Sequence, residues 1–370
     1  MRRRGAPSAV QESEHDPFVG PDFMSTADEV VVHETPPSRV LIGPGASELV
    51  ADEVVRIGAG RVLLVAAPSA AGPADRIAGA LGARLAARFD RPAPHTPVAV
   101  TVRAMEAAAG ADCVVAVGGG SAIGLAKAVS ARTGMPQVAV PTTYAGSEMT
   151  PVLGETEDGV KTTRRAPTLA PGTVVYDPRL TLGMPSGLTR TSAMNALAHA
   201  VEALWAPDAT MVTDALAIEA AGGILGALPE VLDDLTGPEG RARLQSAAWL
   251  AGICLAQTRM GLHHQLAHVL GGAFGLPHAE LHTMLLAHVM AFNLPSAPAA
   301  SARLARVAGP DPVAVVAALA RAHRGPTRLS ALGVPRERLP EMAGRVAADP
   351  YPNPRAPDAG AVAELLDAMW

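Results

Sequence analysis

Seven of the eleven histidines in this sequence fall between positions 199 and 288: His199, His263, His264, His268, His278, His282 and His288. An imidazole taken out of water must be paired, so a cluster this dense in an apolar stretch points to a site that moves protons, holds an ion or polarises a substrate. Asn195 and His199 are four apart, as are His264 and His268, and on helices each pair shares a face. Together with His278 they can surround one ion or one substrate. The His264/His268 pair has HExxH spacing, but Gln265 stands where a zinc peptidase needs its general-base glutamate, which argues against that chemistry. His263, His282 and His288 are read as structural.

A second group of chemically competent residues lies in the first half. Val114 to Val117 run into Gly118, Gly119, Gly120 and Ser121, and a helical stretch follows through Lys127. Glycines let a ligand oxyanion approach the backbone, and the N–H groups opening a helix attract a diphosphate. The run is not GxGxxG, and a tight strand–helix turn is the competing reading. Pro141 to Glu148 follow the next apolar run, with Thr142, Thr143 and Ser147 offering hydroxyls and Tyr144 a phenol. Two such loops at one sheet edge point to a dinucleotide; helix capping is the plainer alternative for Thr and Ser. No carboxylate follows Val62–Val65 to repel a 2′-phosphate, so NADPH is not excluded beside NADH.

The elements that must hold these groups follow from the apolar pattern. Short β-branched runs at Arg39–Ile42, Val62–Val65, Cys113–Val117, Gln137–Val140 and Thr173–Tyr176 alternate with Ala-rich helical stretches, which predicts βαβ units and a doubly wound parallel sheet. Beyond Pro178 the strand signal stops. Proline-punctuated amphipathic segments, among them Thr189–Leu204, Val212–Leu228, Gly240–Gln257 and Leu262–Gly271, predict an all-α second domain. The expected organisation is a disordered extension over 1–27, with Met24 as an alternative start, a Rossmann-like α/β dinucleotide-binding domain over 28–178, and a helical catalytic domain over 179–370.

Composition narrows the partners. The 370 residues carry a formal net charge of −5 and only eleven aromatics, five Phe, three Trp and three Tyr, which offers neither a polybasic field nor stacking platforms for nucleic acid. Cys113 and Cys254 lie far apart in apolar runs, without metal or redox spacing. No apolar run approaching ~18 residues and no export signal are read, so the expectation is a cytoplasmic protein without a membrane partner. Lys127 and Lys161 are the only lysines among 30 basic residues, which makes each worth noting.

Several long segments carry a family resemblance: His95-Thr96-Pro97-Val98, GGGSAIGLAKA from Gly118, PTTYAGSEMTP from Pro141, GETEDGVKTT from Gly154, SAMNALAHAVEALWAPD from Ser192 and GLHHQLAHVLGGAFGLPHAELHT from Gly261. In these the sequence resembles the iron-containing (group III) alcohol dehydrogenases of dehydroquinate-synthase-like fold and, within them, the maleylacetate reductase subgroup. The metal-dependent members hold a divalent ion with an Asp and three His, at positions that correspond to Asn195, His199, His264 and His278. Asn195 brings no charge to offset the ion's desolvation, so the resemblance implies a degenerate site without a tightly bound metal.

What the resemblance implies is NAD(P)H-dependent reduction of the maleylacetate double bond to 3-oxoadipate, by a homodimer. His268 and His278 would then act as electrophile and general acid, Tyr144 as a supporting donor, and His199 and His264 as pocket walls. Lys161, Thr162, Thr163 and Arg164 are candidates for the substrate carboxylates, with Lys161 alternatively on the cofactor ribose. The rival readings are a metal-dependent alcohol dehydrogenase, a sugar-phosphate cyclase or lyase of the same fold, and a silent nucleotide-binding protein.

Overall fold

A computed structural model describes residues 38–370, with the Lys161 side chain outside the described set. The expected extension 1–27 and the start at Met24 also lie outside the described residues. Eight strands occur among these: β1 (Arg39–Ile42), β2 (Val62–Ala66), β3 (Leu85–Phe89), β4 (Cys113–Gly118), β5 (Gln137–Pro141), β6 (Val152–Glu157), β7 (Val160–Arg165) and β8 (Thr173–Tyr176). Six form one parallel sheet in the order β1-β8-β5-β4-β2-β3, and β6 and β7 form a separate antiparallel hairpin.

The central strands β2, β4, β5 and β8 are buried at every residue, which is why they read as continuous apolar runs. Helices α1 (Val50–Arg56) and α2 (Ala71–Leu81) cover one face through Val50, Val54, Ile77 and Leu81. Helices α3 (Val98–Ala107) and α4 (Gly120–Thr133) cover the other through Val100, Ala104, Ile123 and Leu125. Burial of each of these Val, Ile and Leu side chains stabilises by about 1.5–3 kcal/mol, so the strand ends that carry the loops are firmly placed.

Two elements escaped the sequence reading. β3 is an edge strand whose Arg88 pairs with Asp75 and Asp90; a charged, half-exposed strand lacks the apolar run that betrays a central one. The hairpin turns at Asp158-Gly159, both in the left-handed region (φ 49° and 79°), the dipeptide that favours tight hairpins.

The helical half comprises α5 (Ser186–Ala203), α6 (Met211–Asp233), α7 (Pro238–Gln257), α8 (Leu262–Phe274), α9 (His278–Asn293), α10 (Pro298–Ala308), α11 (Pro312–Arg321), α12 (Leu339–Ala348) and α13 (Ala359–Met369). α5 is buried continuously from Thr191 to Ala203 and shares a core with α6, α7 and the far end of α9. α8, α9, α12 and α13 build a second core. The expectation of no membrane-length apolar segment needs correction: α6 has 23 residues and an 18-residue stretch with a mean hydropathy of 1.5, long and apolar enough to cross a bilayer by length and composition. Its Ala217, Ala220, Ala221, Ile224 and Leu228 are instead buried in the helical core, the ordinary reason a helix in a bundle is apolar.

Candidate active site

Two loops leave the carboxyl edge of the sheet side by side. Gly118 pairs with Pro141 in the β4–β5 register, and the Thr142 N–H donates to the Gly118 carbonyl at 3.1 Å. Gly118 has φ +149°, and a Cβ there would stand 2.8 Å from the Ala67 Cβ and 3.0 Å from the Ala122 Cβ. Only glycine lets β4 turn into α4 at this point. Gly119 lies against Thr143, whose Cγ2 is 3.0 Å from where a Cβ would be, whereas the corresponding position at Gly120 is open. Gly120 opens α4, so its turn offers helix N–H groups and free space together.

The second loop continues to Gly146, at φ +78°, where a Cβ would approach both the Gly252 Cα and the His199 Nδ1 to 3.3 Å. Glycine thus seats the hydroxyl-bearing loop directly on the histidine helix α5. Asn195 Nδ2 reinforces the contact by donating to the Ala145 carbonyl at 3.4 Å.

The result is a single cavity of about 620 Å³ lined by Gly120, Lys127 and Ser147 on one side and Asn195, His199, His264, His268 and His278 on the other. Ser121 is half-buried and, like Gly118, Gly119, Thr142 and Thr143, stands in the paired loops without lining the cavity. The histidines divide into two kinds. His199, His263 and His282 are buried, and burial holds each well below the usual imidazole range, with neighbouring imidazoles adding to the effect. His268 and His278 are exposed to the cavity, their rings nearly parallel at 8° with centroids 6.1 Å apart. His278 Nε2 lies 2.9 Å from His282 Nε2, and His282 Nδ1 lies 2.6 Å from His263 Nε2. His263 and His282, expected to be structural, thus form a hydrogen-bonded file behind His278. His288 lies apart, on a separate cavity with Arg321 and Arg328.

Glu202 organises the other end. Its carboxylate accepts from the Gly261, His263 and His264 N–H groups at 3.0, 2.9 and 3.4 Å and lies 2.7 Å from His264 Nδ1. It caps the start of α8 and engages the Nδ1 edge of His264, which leaves Nε2 buried and without a protein partner. The Asn195 Oδ1 and His199 Nδ1 atoms are likewise buried and unpartnered. Such atoms converging on one cavity are how a protein prepares for a polar ligand.

Lys127 is buried, and its Nζ donates to the carbonyls of Ser147, Thr150 and Val152 and to the Thr150 hydroxyl, at 2.5 to 3.0 Å. It straps the second loop to α4. Burial pulls its ammonium down to about 7, opposed by the charge of Glu148, whose own carboxyl is raised by burial.

Three expectations are corrected. Tyr144 does not face the cavity: it is buried among the helical core residues, and its hydroxyl accepts from the fully buried Arg241 at 3.2 Å. Arg164 points away and pairs with Glu155 at 3.0 Å, because alternate residues of a strand face opposite sides. Thr163 and Arg165 are the hairpin residues that line the cavity, while Thr162 shares the Arg164 side and Lys161 lies outside the described side chains. The residues missed were Glu202, Arg165, Arg259 and Tyr351. Glu202 was within reach, since Asn195, His199 and Glu202 form an i, i+4, i+7 stripe. Tyr351, 3.4 Å from His268 Nδ1 through its hydroxyl, arrives from a distant loop and left no local signal.

Comparison with known proteins follows the same division. The family description "Iron-containing alcohol dehydrogenase" matches residues 37–178, and "Fe-containing alcohol dehydrogenase family, C-terminal" matches 189–370. The chain is 44% identical to a maleylacetate reductase of Rhizobium sp. (strain MTP-10005) over 92% of its length and 97% of the relative's. It is 44% identical to maleylacetate reductase 1 of Rhodococcus opacus, over 90% of its length and 94% of the relative's. The crystal structure of maleylacetate reductase from Agrobacterium tumefaciens superposes with a TM-score of 0.88 at 42% identity, covering 92% of this chain and 98% of that one.

Proposed function

The chain belongs to the iron-containing alcohol dehydrogenase family, and on that premise we propose that it reduces the carbon–carbon double bond of maleylacetate to 3-oxoadipate with NADH or NADPH. The observation that carries this reading is the shared cavity: the glycine turn that suits a dinucleotide and the imidazoles that suit a developing anion line one space. The reduced nicotinamide, when bound, supplies a hydride to an alkene conjugated with carbonyl groups. Negative charge then develops on an enolate oxygen.

The chain's own groups meet that charge. Gly118 to Ser121, Thr142, Thr143 and Ser147 orient the cofactor at the helix N-terminus, and Lys127 keeps the second loop in place. His268 and His278, exposed to the cavity, donate a hydrogen bond to the oxygen, and one of them gives its N–H proton to the enolate carbon and is reprotonated from solvent. His199, kept neutral by burial, and His264, oriented by Glu202, form the wall behind. The absence of a carboxylate after β2, where Ala67 and Pro68 follow, supports acceptance of either cofactor. We read residues 28–178 as the dinucleotide-binding domain and 179–370 as the catalytic one, in a cytoplasmic homodimer without nucleic-acid or membrane partners.

The family name raises the question of iron, and the donor set answers it poorly. Asn195 supplies a neutral amide where a carboxylate would offset the ion's charge. His263, His264 and His282 offer nitrogens within 4.8 Å of one another. Yet His263 Nε2 and His282 Nδ1 are hydrogen-bonded to each other at 2.6 Å, a contact that an ion bound at both of those atoms would have to break. One observation favours the second reading, a metal-dependent alcohol dehydrogenase: a carboxylate behind His264 with Nε2 unpartnered is also how a metal ligand is held. The relatives reported are reductases, which leaves the cyclase reading without support.

The test is continuous loss of nicotinamide absorbance on adding fresh maleylacetate, before and after chelator, with elemental analysis of the purified protein. Turnover insensitive to chelator at substoichiometric metal supports the proposal. No reduction of maleylacetate, or activity that follows metal content, overturns it.

A further inference from the structure

A dianionic substrate needs positive charge, and the sequence reading placed it on Lys161 and Arg164. Arg164 faces away, but two guanidinium groups do line the cavity: Arg165 at the end of β7 and Arg259 in the turn between α7 and α8. Arg165 is held from the last residues of α7 and Arg259 from the segment between α5 and α6. Arg165 Nη2 donates to the Ala256 carbonyl at 2.5 Å. The Arg259 N–H donates to both Asp208 carboxylate oxygens at 2.9 and 3.2 Å, and its Nε lies 3.3 Å from Oδ2.

These anchors fix one edge of each fork. Among the described residues, Arg165 Nε and Nη1 and both Nη atoms of Arg259 have no protein acceptor. The turn that carries Arg259 runs directly into Gly261, His263 and His264, whose N–H groups Glu202 holds. The two forks are therefore tethered to the backbone that positions the imidazoles, with the Thr163 and Thr258 hydroxyls lining the same cavity. A planar fork recognises a carboxylate bidentately, which neither a hydroxyl nor an aldehyde can reproduce. Asn195, neutral where a carboxylate would repel an anion, suits the same ligand.

Building on the reading as a maleylacetate reductase, we infer that Arg165 and Arg259 determine specificity, each taking one carboxylate of a linear dicarboxylate. Uncharged alcohols and aldehydes of equal length then bind weakly for want of those charge-assisted bonds.

The experiment compares wild type with Arg165→Gln, Arg259→Gln and the two Lys variants. It reads KM for maleylacetate, KM for NADH, and competition by adipate against 1,6-hexanediol. Each Gln variant should raise the maleylacetate KM and the adipate inhibition constant about 10–100-fold with the NADH KM unchanged, as loss of a charge-assisted contact implies. Lysine should rescue in part, and hexanediol should not compete with any form. An unchanged maleylacetate KM, or a parallel rise in the NADH KM, overturns the inference. Should Arg259→Gln lose thermal stability through Asp208, the exposed Arg165 decides alone. If wild type fails to reduce maleylacetate, adipate quenching of bound NADH fluorescence still decides: binding abolished in Arg165→Gln sustains the pair's role, and no binding to wild type refutes it.

Discussion

Replacing Glu202 by Gln is the sharpest probe of how the site is built. The carboxylate is fully buried and meets four donors, the N–H groups of Gly261, His263 and His264 and the Nδ1 of His264. Oε1 serves His263 alone, and Oε2 serves the other three. An amide keeps one oxygen. In its better orientation that oxygen stays on the Oε2 side, so the NH₂ group faces the His263 N–H and leaves that donor buried and unpaired, at a cost of about 1–3 kcal/mol. Loss of the charge at the N-terminus of α8 removes up to ~2 kcal/mol more in a partly buried setting. The expected destabilisation is roughly 3 kcal/mol, which lowers Tm by about 6 °C or more at 2–4 °C per kcal/mol in large domains. Differential scanning calorimetry measures it, and kcat should fall as well because His264 loses its orienting charge. A Tm within about 1 °C of wild type, given the ±0.5 kcal/mol usual for inconsequential substitutions, would refute the assignment of Glu202 as the organiser of this wall.

Three further outcomes follow from the same structure. His199, His263 and His282 are held well below the usual imidazole range by burial, so the unfolded chain binds protons the native one refuses and stability falls as pH drops below about 6.5; the limiting slope is roughly 4 kcal/mol per pH unit for three groups. Urea midpoints at pH 7.5, 6.5 and 5.5 should decline accordingly, and a flat profile would contradict neutral burial. Gly118→Ala, driven against the Ala67 and Ala122 Cβ atoms, should cost about 1–3 kcal/mol by overpacking, whereas Gly120→Ala, open at its Cβ position, should keep its stability and weaken NADH binding by titration calorimetry. Asn195→Asp should raise KM for the dianionic substrate and give measurable zinc uptake; unchanged values of both would count against the role of a neutral pocket.

Much of this protein was legible in one dimension. Short β-branched apolar runs bounded by turn residues suit strands buried on both faces, and such strands alternating with helices make a parallel sheet whose ligands gather at its carboxyl edge; β2, β4, β5 and β8 obeyed that logic. The i,i+4 pairs on α5 and α8 placed His199 and His264 on cavity-facing sides for the same reason. Charged β3 lacked the apolar signature, and so stayed hidden until its neighbours were assembled around it.

What the order of residues could not carry was direction. Whether Arg164 or Arg165 turns inward depends on the register of a hairpin that packs outside the main sheet, and whether Tyr144 reaches the substrate depends on a buried Arg241 nearly a hundred positions away. Tyr351 meets His268 through a loop that only the second helical core brings back. Local periodicity fixes which side of an element a residue occupies, because that is a property of the backbone repeat. The identity of what it faces is settled by packing between segments far apart in the chain, and here that packing turned a list of histidines into an exposed, nearly parallel pair backed by a neutral, buried file.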